Sequence, residues 1–289
     1  MNHNNILEIR GLEKRYRDFH LGPLDLSIPA GSIVGLIGEN GAGKSTIIKS
    51  IAGLVRPDAG EIFFREKALS SKERSSFEEI GICLPQLYLP QKMSVQQVGL
   101  FCSRLYRGWD EALFEKYITQ FELSWWKKIF ELSQGMKMKL YLTIALCHSP
   151  RLLVLDEVTS GLDPSAREEM LDALLSFLQD EKNSVLIASH ILSDLEKAAD
   201  YIAFIHEGEL VFMEEKDALR ERFALYYPRN GEKEALNPQA IVAGRKHAYG
   251  ETLLVYRENM PPHIPLDRPS IEDVMLFYSK GERDESTHL

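Results

Sequence analysis

The chain has 289 residues, 44% apolar and 27% charged, with 34 basic and 43 acidic side chains and a formal net charge of −9. This suits a globular protein with one large core and room for an appendage, and the acidic excess argues against a general nucleic-acid binder, which carries a basic surplus. No run approaches the apolar length of a membrane helix, the N-terminus lacks the charged-then-apolar order of a signal peptide, and Cys83, Cys102 and Cys147, without a C-x-x-C pair, read as reduced packing residues.

In chain order, residues 6–64 mix short strands and turns. Leu7-Glu8-Ile9-Arg10 and Leu24-Asp25-Leu26-Ser27-Ile28 alternate apolar and polar side chains, the pattern of half-buried strands. Pro29-Ala30-Gly31-Ser32 turns the chain into Ile33-Val34-Gly35-Leu36-Ile37, an apolar run that reads as a buried strand. Gly38-Glu39-Asn40-Gly41-Ala42-Gly43-Lys44-Ser45-Thr46 follows and fits G-x-x-x-x-G-K-[ST], the loop whose backbone N–H groups surround a nucleotide's phosphates. A helix over residues 46–52 completes the strand–loop–helix context, and its N-terminus favours an anion. In this motif Lys44 is expected to reach the β- and γ-phosphates, and the Ser45 hydroxyl to ligate Mg²⁺.

Arg56-Pro57-Asp58-Ala59-Gly60 stops that helix, and Glu61-Ile62-Phe63-Phe64 resumes a strand. Across residues 87–147 strand signals vanish and apolar residues recur at helical spacing, which predicts a helical insertion. Leu152-Leu153-Val154-Leu155 and Val185-Leu186-Ile187-Ala188 are wholly apolar, as central strands covered on both faces are. A helix over about 165–179 lies between them, so the first domain, residues 1–218, reads as α/β with a parallel sheet. Residues 219–289 change texture and predict a small α+β appendage. They hold a hairpin around Tyr249-Gly250-Glu251, four prolines, and a helix over 271–279 capped by Ser270 with Asp273 three residues on. The last eight residues read as a solvated tail.

Asp156 and Glu157 end the apolar run 152–155. An acid at the end of a buried strand can reach a Mg²⁺ beside the phosphate loop, which suits Asp156. Glu157, one residue on, points elsewhere and suits a general base for an attacking water.

With these two elements in place, the chain resembles the nucleotide-binding subunit of ATP-binding cassette (ABC) transporters across about residues 6–215. The resemblance rests on further motifs in the family's order. Leu132-Ser133-Gln134-Gly135-Met136 stands where the family carries its L-S-G-G-Q signature. Thr159-Ser160-Gly161-Leu162-Asp163-Pro164 is similar to its D-loop, Ala188-Ser189-His190 to its switch histidine, and Leu84-Pro85-Gln86 to its Q-loop. Tyr16 is placed like the aromatic that stacks on adenine, with Phe19 as a rival.

The family's fold is a P-loop NTPase core with an antiparallel β subdomain and a helical insertion. The resemblance implies ATP and Mg²⁺ as ligands, the metal held by Ser45, Gln86 and Asp156, with Glu157, His190 and Gln86 catalytic. Ser133, Gln134, Gly135 and Met136 would act on the ATP of a second copy or a related ATPase subunit, beside Asp163. A separate integral membrane permease would be the other partner, giving a cytoplasmic protein peripheral on the inner face of the membrane. The short segment Pro269-Ser270-Ile271-Glu272-Asp273-Val274-Met275 is similar to exporter-type cassettes, with import the competing direction. The signature departs from the pattern at Gln134 and Met136, while Ser133 and the Gly135 N–H still offer a hydroxyl and an amide at a helix N-terminus. A kinase or GTPase would not need this series, and a ribosome- or DNA-associated ABC ATPase is the alternative within the family.

Overall fold

The computed structural model describes residues 5–69, 74–85, 89–229, 232–233, 236–247 and 250–280. Two compact units, Met1–Met213 and Glu214–Leu289, divide the chain. The boundary expected after residue 218 falls inside the helix Lys216–Arg222.

The first unit begins with two long strands, β1 (Asn5–Arg15) and β2 (His20–Pro29), whose alternating burial places Leu7, Ile9, Leu24, Leu26 and Ile28 inward. The fully buried β3 (Ile33–Ile37) leads through the phosphate loop into α1 (Lys44–Ile51). Next come β4 (Ala59–Phe64), the short β5 (Lys67–Ala68), α2 (Arg74–Glu78) and β6 (Ile80–Cys83). Three helices follow, α3 (Val95–Leu105), α4 (Glu111–Gln120) and α5 (Gln134–Cys147). Ser94 and Gln97 form a capping box at α3, Asp110 caps α4, and Ser133 caps α5. Such side chains satisfy first-turn N–H groups that have no helical acceptor.

The chain then alternates strand and helix: β7 (Leu152–Asp156), α6 (Pro164–Phe177), β8 (Ser184–Ala188), α7 (Leu192–Ala198), β9 (Tyr201–His206) and β10 (Glu209–Glu215). A six-stranded sheet in the order β10-β9-β3-β8-β7-β6 results, with the β9–β3, β3–β8, β8–β7 and β7–β6 neighbours parallel. A second, antiparallel sheet has the order β2-β1-β4-β5. One apolar cluster joins both sheets and α1 through Leu7, Ile9, Leu26, Val34, Ile47, Ile51 and Val154. The α/β core, antiparallel subdomain and helical insertion are therefore all present. β6, β9 and β10 had no expectation behind them, and their short runs carry signals that neighbouring turns interrupt.

In the second unit, α8 (Lys216–Arg222) precedes the antiparallel sheet β11-β13-β12, formed by Phe223–Tyr226, Gly250–Tyr256 and Ile241–His247. The expected hairpin is thus found, joined by a third strand, Phe223–Tyr226, that had no expectation behind it. Its last helix, α9 (Ile271–Lys280), is capped as expected: Asp273 N–H donates to Ser270 Oγ at 3.0 Å, and Ser270 N–H to Asp273 Oδ2 at 2.9 Å.

All three cysteines are free and buried, and burial pushes their thiols up, Cys102 to about 11. His148 is also buried. Its ring stacks on Tyr106 at 4.5 Å, and its two nitrogens lie 3.1 Å from Ile144 O and 3.4 Å from Ile80 O. Burial holds its pKa below the ordinary value against the pull of those two carbonyls. The unfolded chain therefore binds a proton that the fold resists, and stability should fall as pH drops below about 6.5. Urea unfolding midpoints taken across that window should decline more steeply for the wild type than for His148→Phe; equal slopes would refute the assignment.

Candidate functional site

The phosphate loop owes its path to positions where a side chain cannot go. Gly43, immediately before α1, has φ +113°, and a Cβ there would lie 2.6 Å from Leu21 Cδ1 and 3.2 Å from Phe19 Cζ. Lys44 follows and is only 6% exposed. Its ammonium donates to Gly38 O at 2.7 Å and Glu39 O at 3.0 Å. Two of its three donors are thereby engaged within the loop, and one remains for an anion. Burial lowers the Lys44 pKa, opposed by the carboxylates of Glu157 and Asp156.

Those carboxylates come from the end of β7, the strand beside β8 in the central sheet. Asp156 is 4% exposed, and its Oδ1 has no hydrogen-bond partner among the described residues. Burial raises its pKa, while the Ser45 hydroxyl donates to it and Lys49 and Lys44 favour its charge. An orphaned buried carboxylate oxygen beside a serine hydroxyl is a donor set that suits a hard cation.

Glu157 takes φ +50°, a left-handed conformation that costs a non-glycine residue about 1–2 kcal/mol. Its N–H donates to Ala188 O at 2.9 Å, which ties this turn to β8. The consequence is that Asp156 and Glu157 diverge, one toward Ser45 and one toward His190. His190 Nδ1 lies 2.5 Å from Glu157 Oε2. Ser189, buried at the end of β8, accepts from the Ile191 N–H and so turns His190 outward, where its side chain is 53% exposed. Glu157 and His190 thus share one hydrogen bond across neighbouring strand ends.

A cleft of about 730 Å³ joins these parts. Its lining includes Asn40, Gly41, Gly43, Lys44, Ser45, Thr46, Glu157 and His190, together with Tyr16 and Phe19. The two aromatics differ. Phe19 packs on the core beside Gly43, whereas Tyr16 is 46% exposed with its ring 6.4 Å from that of Phe19. Tyr16 therefore has a face to offer and Phe19 supports the loop. Asp18 also lines the cleft and had not been singled out, hinted at only by its place between the two aromatics; Ser160, quoted only within the D-loop, lines it too.

Gly38, Glu39 and Ala42 belong to the loop without lining this cleft, and Glu39 and Ala42 line an adjoining one with Asn40. Gln86 lies outside the described residues. Ser133, Gln134, Gly135 and Met136 stand elsewhere, at the start of α5, and none lines the cleft. Ser133 Oγ accepts from the Met136 N–H at 3.2 Å. Asp163 caps α6, accepting from Ala166 N–H at 2.9 Å, and that bond, above other causes, holds its carboxyl below the usual range.

A parallel sheet with a phosphate loop after one strand and two divergent acids after another defines a phosphate-loop nucleotide-binding enzyme. The family model described as ABC transporter matches residues 21–160. Over 215 residues the chain is 35% identical to the lantibiotic transport ATP-binding protein SrtF of Streptococcus pyogenes, covering 73% of this chain and 92% of that one. It is 36% identical to the Nod factor export ATP-binding protein I of Burkholderia orbicola, with 71% and 69% covered. It is 33% identical to the bacitracin transport ATP-binding protein BcrA of Bacillus licheniformis, with 70% and 67% covered. A solved ATP-binding subunit of an ABC transporter superposes with a TM-score of 0.68 at 27% identity, covering 74% of this chain and 92% of that one. The chain belongs to the ABC transporter family, as one of its ATP-hydrolysing subunits.

Two substitutions separate anion binding from base binding. Lys44→Ala should weaken ATP affinity about tenfold or more, since a hydrogen bond to a charged group contributes roughly 1.5–3 kcal/mol. Tyr16→Ala should cost about 1–3 kcal/mol of ATP affinity if the ring stacks on adenine, and should leave inorganic triphosphate binding unchanged. Titration calorimetry with both ligands decides; unaltered ATP binding by either variant removes that residue from its role.

Proposed function

We propose that two copies of the chain, or one copy and a related ATPase subunit, clasp ATP between them and drive export through a separate membrane permease. The observation that carries this reading is that Lys44, Glu157 and His190 share one cleft while the signature at Ser133 stands outside it. A hydroxyl and free N–H groups at a helix N-terminus suit an anion, and in this arrangement that anion would be the γ-phosphate held by the other subunit.

The chemistry follows from the cleft. Lys44 and the loop's N–H groups bind the β- and γ-phosphates, and Tyr16 holds the adenine. Glu157 takes a proton from water as its oxygen bonds to the γ-phosphorus and the bond to the β–γ bridging oxygen breaks, leaving ADP and phosphate. His190 keeps the Glu157 carboxylate aimed and donates toward the γ-phosphate from its other nitrogen. Ser45 and Asp156, with Gln86, would hold Mg²⁺, and the buried unpaired Asp156 Oδ1 supports that fit. When bound, the ion neutralises charge on the phosphates. Splitting ATP removes the anion that joins the two subunits, and they part.

Export is supported by the relatives' names, one a lantibiotic transport protein, one a bacitracin transport protein and one a Nod factor export protein. Among the described residues no helix is long and apolar enough to cross a membrane, so a permease would supply the path. The helical insertion offers it a surface. Leu100, Leu105, Trp126 and Phe130 are exposed there, Trp126 at 74%, and a groove of about 540 Å³ runs between α3, α4 and Trp125. Exposed apolar groups clustered in this way fit protein contact. The ATPase then sits at the cytoplasmic face of the membrane, and residues 219–289 form an appendage to it.

Glu157→Gln should bind ATP as the wild type does, lose hydrolysis by about a hundredfold or more, and accumulate as a dimer in ATP. Light scattering and phosphate release test this together; near-normal turnover would remove Glu157 as the base, and a monomer at saturating ATP would overturn the clasp.

A further inference from the structure

The signature helix α5 lies against α6, and one ion pair fixes them. Lys139, in the second turn of α5, donates to Glu169 Oε2 at 2.8 Å, in the second turn of α6. Their side chains are only 14% and 35% exposed, so the pair is more sheltered than an ordinary surface one. Lys139 Nζ also lies 5.6 Å from the Phe121 ring centroid. A second contact joins the start of α5 to the loop that leads into α6. Gly135 is so close to Leu162 that an added Cβ would sit 3.2 Å from Leu162 Cδ2. Leu162 itself is held: its O accepts from Arg167 Nε at 3.1 Å and its N–H donates to Thr159 O at 3.3 Å. Asp163, next along, caps α6 and faces the Lys139 charge.

Met136 has no amide to offer an anion, so in this chain the signature depends on the Ser133 hydroxyl and backbone N–H groups, whose aim is set by the tilt of α5. Most of α5 beyond Lys139 is apolar and buried. Apolar contacts resist separation but specify direction weakly, whereas a charge-assisted hydrogen bond fixes register.

We infer that Lys139 and Glu169 are a positioning pair that makes the signature end of α5 and the loop 159–163 one rigid piece, presented together to the second subunit's ATP. The inference rests on the two-subunit reading above. Neither residue touches nucleotide in its own cleft, so their loss should leave ATP binding to the single subunit intact and impair what happens between subunits.

The test uses the full chain with Lys139→Met, Lys139→Arg, and the exchange of Lys139→Glu with Glu169→Lys. Three quantities are read: affinity for a fluorescent ATP analogue, KM and kcat of hydrolysis, and the ATP concentration that dimerises the same variants in a Glu157→Gln background. Lys139→Met should keep analogue affinity within about twofold, lower kcat about fivefold or more, and raise the dimerising ATP concentration by a like factor. Lys139→Arg and the exchanged pair should recover most of both losses, with circular dichroism melts confirming that each is folded. Undiminished kcat and dimerisation in folded Lys139→Met would overturn the inference, as would an exchanged pair no better than the single change. If the wild-type chain neither dimerises nor turns over ATP, the two-subunit reading falls first and takes this one with it; if it does both, the variants judge the pair alone.

Discussion

The structure turns on an ammonium at the start of α1, just beyond β3, and a carboxylate at the end of β7, two buried strands on either side of β8. Lys44 and Asp156 are both almost fully withdrawn from water, yet each retains a polar atom that the protein leaves unpaired or only internally paired. Burying charge is costly unless it is compensated. Here the compensation is partial by construction, and burial shifts both groups toward their neutral forms. A triphosphate with a cation would supply the missing opposite charges at once. Fold and ligand are therefore electrostatically complementary, and the fully buried strands β3, β7 and β8 are what hold the two groups in register.

The same sheet separates roles that adjacent residues would otherwise blur. Asp156 continues the strand and stays inside, while Glu157 breaks into a left-handed conformation and meets His190 from the next strand. Backbone strain at one residue gives two neighbouring acids different environments, one dry and one half open. Strain of this kind persists where surrounding bonds over-determine it, and the Glu157 N–H bond to Ala188 does so here. The signature, by contrast, is a matter of helix placement. Its departures at Gln134 and Met136 shift the burden from side chains to backbone and to whatever orients α5.

Much of this was legible in the sequence because the relevant signals are local. The phosphate loop announces itself by its glycines and by the apolar runs on either side, and the central strands by being apolar throughout. The Ser270 cap could be read from four residues. What could not be read was pairing at a distance. Nothing in Ile80-Gly81-Ile82-Cys83 says that it will be the edge strand beside β7. The difference between Tyr16 and Phe19 depends on Leu21 and Gly43 folding beneath one ring and not the other. The Lys139–Glu169 pair spans thirty positions along the chain, so no window on the sequence contains it. β11 is the four apolar residues Phe223-Ala224-Leu225-Tyr226, too short a run between the charged α8 and the residues that follow to tell a strand from the end of a helix.

The three interior thiols give this chain an unusual chemical quietness. With Cys102 pushed to about 11, only about one thiol in ten thousand is ionised at neutral pH, and Cys83 and Cys147 are quieter still. Alkylating reagents and spin labels would pass the folded protein by. A single cysteine introduced on the surface would then be the one reactive handle on each subunit, so distances between paired subunits could be followed spectroscopically without first stripping the native sulfur from the core.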